Sequence, residues 1–180
     1  MAEAHCNAPV ESAALEQAPL SGPLASESES IRASERARGW DALARAGLRG
    51  SLVRDGADTN VTSTALDVDG ARYTAGTFVG RIALGGQILQ SQGAEDIFLV
   101  KNDRSGNVVW AHAVGSTGVE RAPRVTVSDE SLNLVAMTTG RVDCGQGPMR
   151  VWSGDTFIVC TFGLTSGAPL SGGAFPTGAP

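Results

Sequence analysis

The chain has 180 residues, enough for one domain or for one domain with a tail. Charged residues make up only 18% of it, and the net charge of −5 is opposite to the basic surface that a nucleic-acid binder needs. No stretch approaches the roughly 18 apolar residues of a membrane-spanning helix. Composition therefore argues against a nucleic-acid partner and against a membrane span.

The first 47 residues differ in character from the rest of the chain. They are rich in Ala, Glu and Ser and contain three prolines, which predicts a disordered tail over residues 1–47. Trp40, Leu43 and Ala44 recur at helical spacing, so residues 30–46 are a candidate short helix within this tail. The basic start and apolar run of a secretory signal are missing, and we predict no signal peptide in the chain as given.

From about residue 48 the sequence changes to runs of β-branched and aromatic residues separated by glycine. This pattern predicts an all-β body over residues 48–172. Over residues 96–103 both alternating faces carry apolar side chains, which is typical of a strand covered on two sides. The following residues favour a turn with Gly106 at positive φ. We therefore predict an antiparallel hairpin in which residues 96–103 pair with residues 107–113.

An internal repeat of about 60 residues divides this body into units of about 50–116 and 117–172, leaving 173–180 as a flexible C-terminus. A period of this length with four strand-like segments per unit is typical of stacked small sheets. A glycine-rich segment after the second strand of each unit is predicted to be a loop with a short extra strand pair. The predicted strands are 61–68, 71–78, 95–102 and 107–113 in the first unit, and 122–128, 132–138, 155–162 and 168–171 in the second.

The two units match at a shift of 60 where Gly80 corresponds to Gly140. From Asp96 onward the match is made at a shift of 59, because an Asp and a Phe then coincide in both units. This match pairs Asp155 with Asp96, Phe157 with Phe98 and Cys160 with Lys101, and Met137 replaces a glycine in the second unit.

The first unit contains Tyr-x-x-Gly-x-Phe-x-Gly, Asp-x-Phe-x-x-Lys and Asp-x-x-Gly-Asn-x-x-Trp in that order. In this order and spacing the motifs resemble the bacterial β-propeller repeat (SBBP type) of long exported proteins and lipoproteins of myxobacteria. The resemblance covers residues 50–172 and is weaker in the second unit. It is carried by Tyr73, Gly76, Phe78, Gly80, Gly85, Gly86, Asp96, Phe98, Lys101, Asp103, Gly106, Asn107 and Trp110, with echoes at Gly140, Asp155 and Phe157.

The resemblance implies about two four-stranded antiparallel blades, an extracytoplasmic location, and burial of Trp110 against the neighbouring blade. Two blades are too few to close a ring, which normally takes about 4–8. We therefore expect an incomplete propeller that associates with other blades or with itself, and the resemblance names no particular protein or carbohydrate ligand. The apolar residues expected to remain exposed on the outer faces are Phe98, Val100, Phe157 and Val159.

The sequence contains one weak candidate for a metal site. Asp67 and Asp69 precede a glycine like the first carboxylates of a calcium loop. The pattern then fails, because Ala71 and Phe78 stand where oxygen ligands are required. The alternative is a β-turn with Gly70 at its tight position.

The three cysteines do not form an even disulfide framework. Cys144 and Cys160 belong to the same unit and are candidates for a disulfide in an oxidising compartment. The alternative is a pair of buried thiols.

No nucleophile turn, phosphate-binding loop or set of three spaced metal ligands is found in the sequence. The sequence therefore predicts a non-enzymatic structural or binding module without a cofactor, derived from a larger propeller protein. One alternative is a degraded gene remnant without independent function. Another is a hydrolase on a propeller scaffold, which would need His, Asp or Glu side chains that converge.

Overall fold

The computed structural model describes residues 58–177, and these residues form ten β-strands. The all-β prediction is therefore confirmed for this part of the chain. The predicted disordered tail over 1–47 and its candidate helix over 30–46 lie outside the described residues. The strands are β1 (Thr59–Leu66), β2 (Arg72–Phe78), β3 (Arg81–Leu84), β4 (Gln87–Gln90), β5 (Asp96–Asn102), β6 (Val108–Val114), β7 (Glu120–Val127), β8 (Ser131–Thr138), β9 (Thr156–Gly163) and β10 (Pro169–Pro176).

Eight of the strands form two antiparallel sheets. Sheet one has the order β1-β2-β5-β6, and sheet two has the order β10-β9-β8-β7. Strands β3 and β4 form a separate hairpin inserted between β2 and β5. Each sheet corresponds to one repeat unit, and the two sheets do not close a ring within residues 58–177. Because β10 runs to Pro176, residues 173–176 belong to a strand and not to a flexible C-terminus.

The predicted hairpin is confirmed, since β5 and β6 pair antiparallel. Its turn is built as the residue types require, with Gly106 at a φ of 89°. The Asp103 carboxylate accepts hydrogen bonds from the backbone and side-chain amides of Asn107, and these bonds lower the pKa of Asp103. A single Asx-type turn thus sets the register of the outer pair in sheet one.

The structure corrects the match between the two units from a shift of 59 to a uniform shift of 60. In sheet one, Asp96 begins β5 and accepts a hydrogen bond from the backbone amide four residues earlier. In sheet two, Thr156 begins β9 and accepts the equivalent bond, also from four residues earlier. Thr156, not Asp155, therefore corresponds to Asp96. The corrected matches are Ile158 with Phe98, Thr161 with Lys101, Cys160 with Val100 and Ala136 with Gly76.

The main core lies between the two sheets. Sheet one contributes the face that carries Tyr73, Leu99 and Trp110, and sheet two contributes the face that carries Leu134 and Phe162. At a shift of 60, Leu134 corresponds to Thr74, which lies on the other face of sheet one. The sheets therefore stack with opposite faces in contact, as successive members of a repeat array do.

A second core cluster lies on the outer face of sheet one. The β3–β4 hairpin lays Ile82, Leu84 and Leu89 over Phe98 and Val100. Both residues are fully buried, so the expectation that they remain exposed is wrong. The sequence predicted a short extra strand pair here, and this pair covers the face that the prediction left bare.

In the second unit the equivalent face is the inner face of sheet two, and the inserted segment packs on it without forming a strand pair. Its inserted segment makes one isolated bridge, Asp143 to Pro148, and packs Val142, Cys144 and Met149 on the sheet. These three residues correspond to Ile82, Leu84 and Leu89 at a shift of 60. The predicted extra strand pair is therefore present in the first unit and reduced to a bridged loop in the second.

Candidate functional site

The carboxylate of Asp67 holds the turn between β1 and β2. Its Oδ1 accepts hydrogen bonds from the backbone amides of Asp69 at 3.0 Å and Ala71 at 2.8 Å. Its Oδ2 accepts the phenol proton of Tyr73 at 3.1 Å. Gly70 sits at a φ of 81°, as a tight turn requires. This is the turn that the sequence offered as the alternative to calcium, and residues 58–177 contain no group of three or more potential metal-binding side chains.

Tyr73 lies against this turn in the main core. Burial, followed by its hydrogen bond to Asp67, raises the pKa of the Tyr73 phenol. The phenol is therefore protonated at neutral pH and acts as a hydrogen-bond donor. Lys101 lies over the same ring, with its Nζ 5.2 Å from the ring centroid.

Cys144 and Cys160 are joined by a disulfide, with their Cα atoms 5.7 Å apart. Cys144 corresponds to Leu84 and Cys160 to Val100, two residues of the outer cluster of sheet one. The second unit therefore has a covalent bond where the first unit has an apolar contact. This bond ties the bridged loop to the sheet.

Of the remaining positions of the resemblance, Phe78 and Gly76 lie in the packed interior of sheet one. Phe78 is fully buried, and a Cβ at Gly76 would lie 2.1 Å from the carbonyl oxygen of Asn60. Asp155 lies near the surface, with an Oδ1 atom 3.8 Å from the guanidinium of Arg121. Gly80 and Gly140 follow equivalent strands, and Gly80 takes a φ of 81°.

The structure brings together two carboxyl groups that the sequence did not single out as a pair. Asp96 and Glu120 are both fully buried at the connection between the two units. The Glu120 Oε1 accepts hydrogen bonds from the hydroxyls of Ser116 at 2.6 Å and Thr138 at 2.7 Å. The Asp96 carboxylate accepts the backbone amide of Gln92. Local sequence carries no signal for this pair, since the two residues lie 24 positions apart in different strands.

Burial is the main cause that raises the pKa of both carboxyls. The hydrogen bonds that Asp96 accepts from the backbone amides of Gln92 and Gly93 oppose this effect at Asp96. Two buried carboxyls in contact share a proton more readily than they both ionise. Both side chains are buried where the two units join.

The two units are also joined through the turn between β9 and β10. The carbonyl oxygen of Leu164 in unit two accepts bonds from Lys101 Nζ at 2.9 Å and from Trp110 Nε1 at 3.2 Å, both in unit one. Trp110 is only 5% exposed, so its predicted burial against the neighbouring unit is confirmed. His112 lies beside it and stacks on Phe162 of unit two, with ring centroids 6.1 Å apart.

The outer face of sheet two carries the largest group of exposed apolar side chains that share one described sheet face, and we call it the open face. Phe157 is 41% exposed and Phe175 is 54% exposed, and they are direct partners across β9 and β10. Val135 and the half-buried Val159 are direct partners across β8 and β9. The expectation of exposed apolar residues is therefore met by Phe157, whereas Val159 is half-buried. The open face comprises Val135, Met137, Phe157, Val159 and Phe175.

The chain matches no protein-family model and no curated protein. Among the described residues, no helix has both the length and the apolar character needed to span a membrane.

Proposed function

We propose that this chain is a non-enzymatic β-repeat module of the propeller type, in which stacked four-stranded units form a scaffold for structural or binding roles. One observation carries the proposal. At a uniform shift of 60, the inner face of unit one packs on the opposite face of unit two. This is the relation that allows units to follow one another in an array.

The polar side chains at the junction support this role, because their bonds hold main-chain segments of the two units. Lys101 and Trp110 share one carbonyl of the neighbouring unit. Thr62 in unit one donates to the Pro123 carbonyl at 2.9 Å, and Arg124 in unit two donates to the Thr62 carbonyl at 3.2 Å. Reciprocal bonds of this kind fix the position of one sheet on the next.

We place the module outside the cytoplasm, in line with the family that the motifs resemble. The Cys144–Cys160 disulfide supports this location, because such bonds persist in oxidising compartments. The partners that fit the proposal are other β-repeat units.

Phe162→Ala tests whether the two units stabilise each other. Phe162 is 3% exposed and belongs to unit two, but its ring stacks on His112 of unit one. We expect the substitution to lower the free energy of unfolding by about 3–5 kcal/mol. Amide hydrogen exchange should show reduced protection in β5 and β6 of unit one as well as in unit two.

The matched control is Val135→Ala, which also lies in unit two but on the open face. We expect it to leave protection in β5 and β6 nearly unchanged. If Phe162→Ala lowered protection in unit two alone, the units would be independent and the proposed repeat module would be refuted.

A further inference from the structure

We propose that Glu120 holds the proton of the buried pair it forms with Asp96, and that this proton closes a hydrogen-bond network across the junction of the two units. Loss of the proton as the pH rises then loosens the junction. The inference rests on the proposed repeat module for the junction itself, and it adds a pH-sensitive element to that module. It is carried by the count of hydrogen-bond donors and acceptors around one carboxyl group.

The surroundings of Thr138 require a proton on Glu120. The Thr138 hydroxyl lies 2.7 Å from Glu120 Oε1 and 2.9 Å from the carbonyl oxygen of Gly140. A hydroxyl has one proton, and that proton serves only one of these two oxygens. With Glu120 ionised, the other oxygen faces Thr138 without a proton between them. With Glu120 protonated, the bond to Thr138 reverses its direction: Glu120 donates to Thr138, Thr138 donates to Gly140, and both contacts are hydrogen bonds.

The remaining bonds of Glu120 agree with this assignment. Its Oε1 accepts the hydroxyl proton of Ser116 at 2.6 Å, and its Oε2 accepts the backbone amide of Ser116 at 3.0 Å. The Ser116 hydroxyl in turn accepts the backbone amide of Gly118 at 2.9 Å. The protonated form therefore gives a partner to both carboxyl oxygens and to the acid proton.

Asp96 has the opposite requirement, because its two oxygens face only donors in the described structure. They accept the backbone amides of Gln92 at 2.9 Å and Gly93 at 3.3 Å. An ionised carboxylate, which only accepts, fits these bonds. Burial, and further the negative charge of Asp96, raises the pKa of Glu120. The geometry thus places the charge on Asp96 and the proton on Glu120.

The network spans the connection between the units. Ser116 is the last residue of unit one, and Glu120 begins β7 in unit two. The backbone amide of Glu120 donates to the carbonyl oxygen of Glu95 in unit one at 2.8 Å. Glu120 is fully buried, and a Cβ at Gly140 would collide with the Ser116 hydroxyl. The segments thus lie in close contact around a carboxyl that solvent does not reach.

Asp96, at the start of β5, is the charged group that faces Glu120 at this junction. The segment before β7 and the end of β8 contribute the uncharged Ser116 and Thr138. Within residues 58–177, neither carboxyl forms an ion pair with a basic side chain. The charged residues that flank these side chains in sequence, none of which is fully buried, are Glu95, Arg121 and Arg141. Ionisation of Glu120 therefore adds a second buried negative charge and removes its bond to Thr138.

Carbon-13 NMR of the side-chain carboxyl groups, followed against pH in the full-length chain, tests where the proton lies. We expect Glu120 to keep its proton well above the ordinary Glu pKa of about 4.3, and Asp96 to be ionised at the same pH. Ionisation of Glu120 near pH 4.3, or a proton on Asp96 in its place, would overturn the inference.

Amide hydrogen exchange tests the coupling, with the Glu120 amide as reporter because its bond crosses from unit two to unit one. After correction for intrinsic exchange, protection should fall by up to about tenfold per pH unit between about pH 4.3 and the folded-state pKa of Glu120. Glu120→Gln should remove most of this fall. Its amide nitrogen keeps a donor beside Thr138, and its oxygen accepts the backbone amide of Ser116.

Glu95→Gln is the matched control, since it removes a carboxyl next to Asp96 but leaves the backbone carbonyl that accepts the Glu120 amide. It should show the same fall as the wild type. A Glu120→Gln chain that keeps the full fall, or a Glu95→Gln chain that loses it, would also overturn the inference. Ionisation of Glu120 near pH 4.3 would refute the inference alone. Uncoupled units in the Phe162→Ala experiment would refute the module and, with it, the pH-dependent coupling.

Discussion

Trp110 offers the most direct measure of how strongly the two units are joined. It is 5% exposed, and its ring lies between Tyr73 and His112, at centroid distances of 6.0 and 5.2 Å. Gly167 of unit two packs so closely that a Cβ there would lie 2.7 Å from the indole. Trp110→Ala therefore removes one buried ring that packs on residues of both units. We expect the free energy of unfolding to fall by about 3–5 kcal/mol.

Trp110→Phe separates the hydrogen bond from the packing. The bond from the indole Nε1 to the Leu164 carbonyl is lost, but Lys101 still donates to the same oxygen. Because that carbonyl keeps a partner, the lost bond should cost only about 1 kcal/mol, with a further contribution from the smaller ring. The free energy of unfolding of the Phe variant should therefore lie between that of the wild type and that of the Ala variant.

Urea unfolding followed by circular dichroism measures all three proteins, and the slope against urea concentration should stay the same. In thermal unfolding, a loss of this size corresponds to a fall of about 10 °C for the Ala variant. An unchanged midpoint for Trp110→Ala would mean that Trp110 does not connect the units, and the packing described for the junction would be wrong.

Two further predictions concern the disulfide and the buried carboxyls. Reduction of Cys144–Cys160, which closes a separation of 16 residues, should lower stability by about 3 kcal/mol. The double variant Cys144→Leu with Cys160→Val imitates Leu84 and Val100 of unit one. Its stability should not depend on reductant, and it should be more stable than the double variant in which both cysteines are replaced by Ser. Equal stability of the two double variants would contradict the match at a shift of 60. Burial raises the pKa of Glu120, so its contribution to stability is complete below about pH 4 and is lost as pH rises through the folded-state pKa. Glu120→Gln should reduce this decline in urea unfolding as the pH rises from about 4, and an unchanged decline would exclude Glu120 as its source.

Local sequence determined the class of fold and most of the strands. Alternating and β-branched runs between glycines predicted seven of the eight main strands within about two residues, because strand formation follows a period of two along the chain. The last strand was predicted to end at residue 171, but β10 continues to Pro176. The turn of the β5–β6 hairpin was also readable, since Asp103, Gly106 and Asn107 satisfy their own backbone requirements locally.

The register between units was decided only by the tertiary structure. Ile97, Phe98, Leu99 and Val100 are all apolar and all buried, so hydrophobicity alone does not say which of them faces the second sheet. A shift of 59 and a shift of 60 then look similar in sequence, although one residue of slip moves every side chain to the other face. Pairing across β2 and β5 and across β8 and β9 settles the match at 60.

The sequence by itself thus determined an all-β body with a repeated four-strand unit and a cysteine pair within the second unit. Only the tertiary structure decided that the β3–β4 hairpin covers Phe98 and that Asp96 and Glu120 are buried together at the connection between the units. The reason is that strand formation depends on near neighbours along the chain. Burial of a face depends on a partner sheet or hairpin whose residues lie far away in sequence.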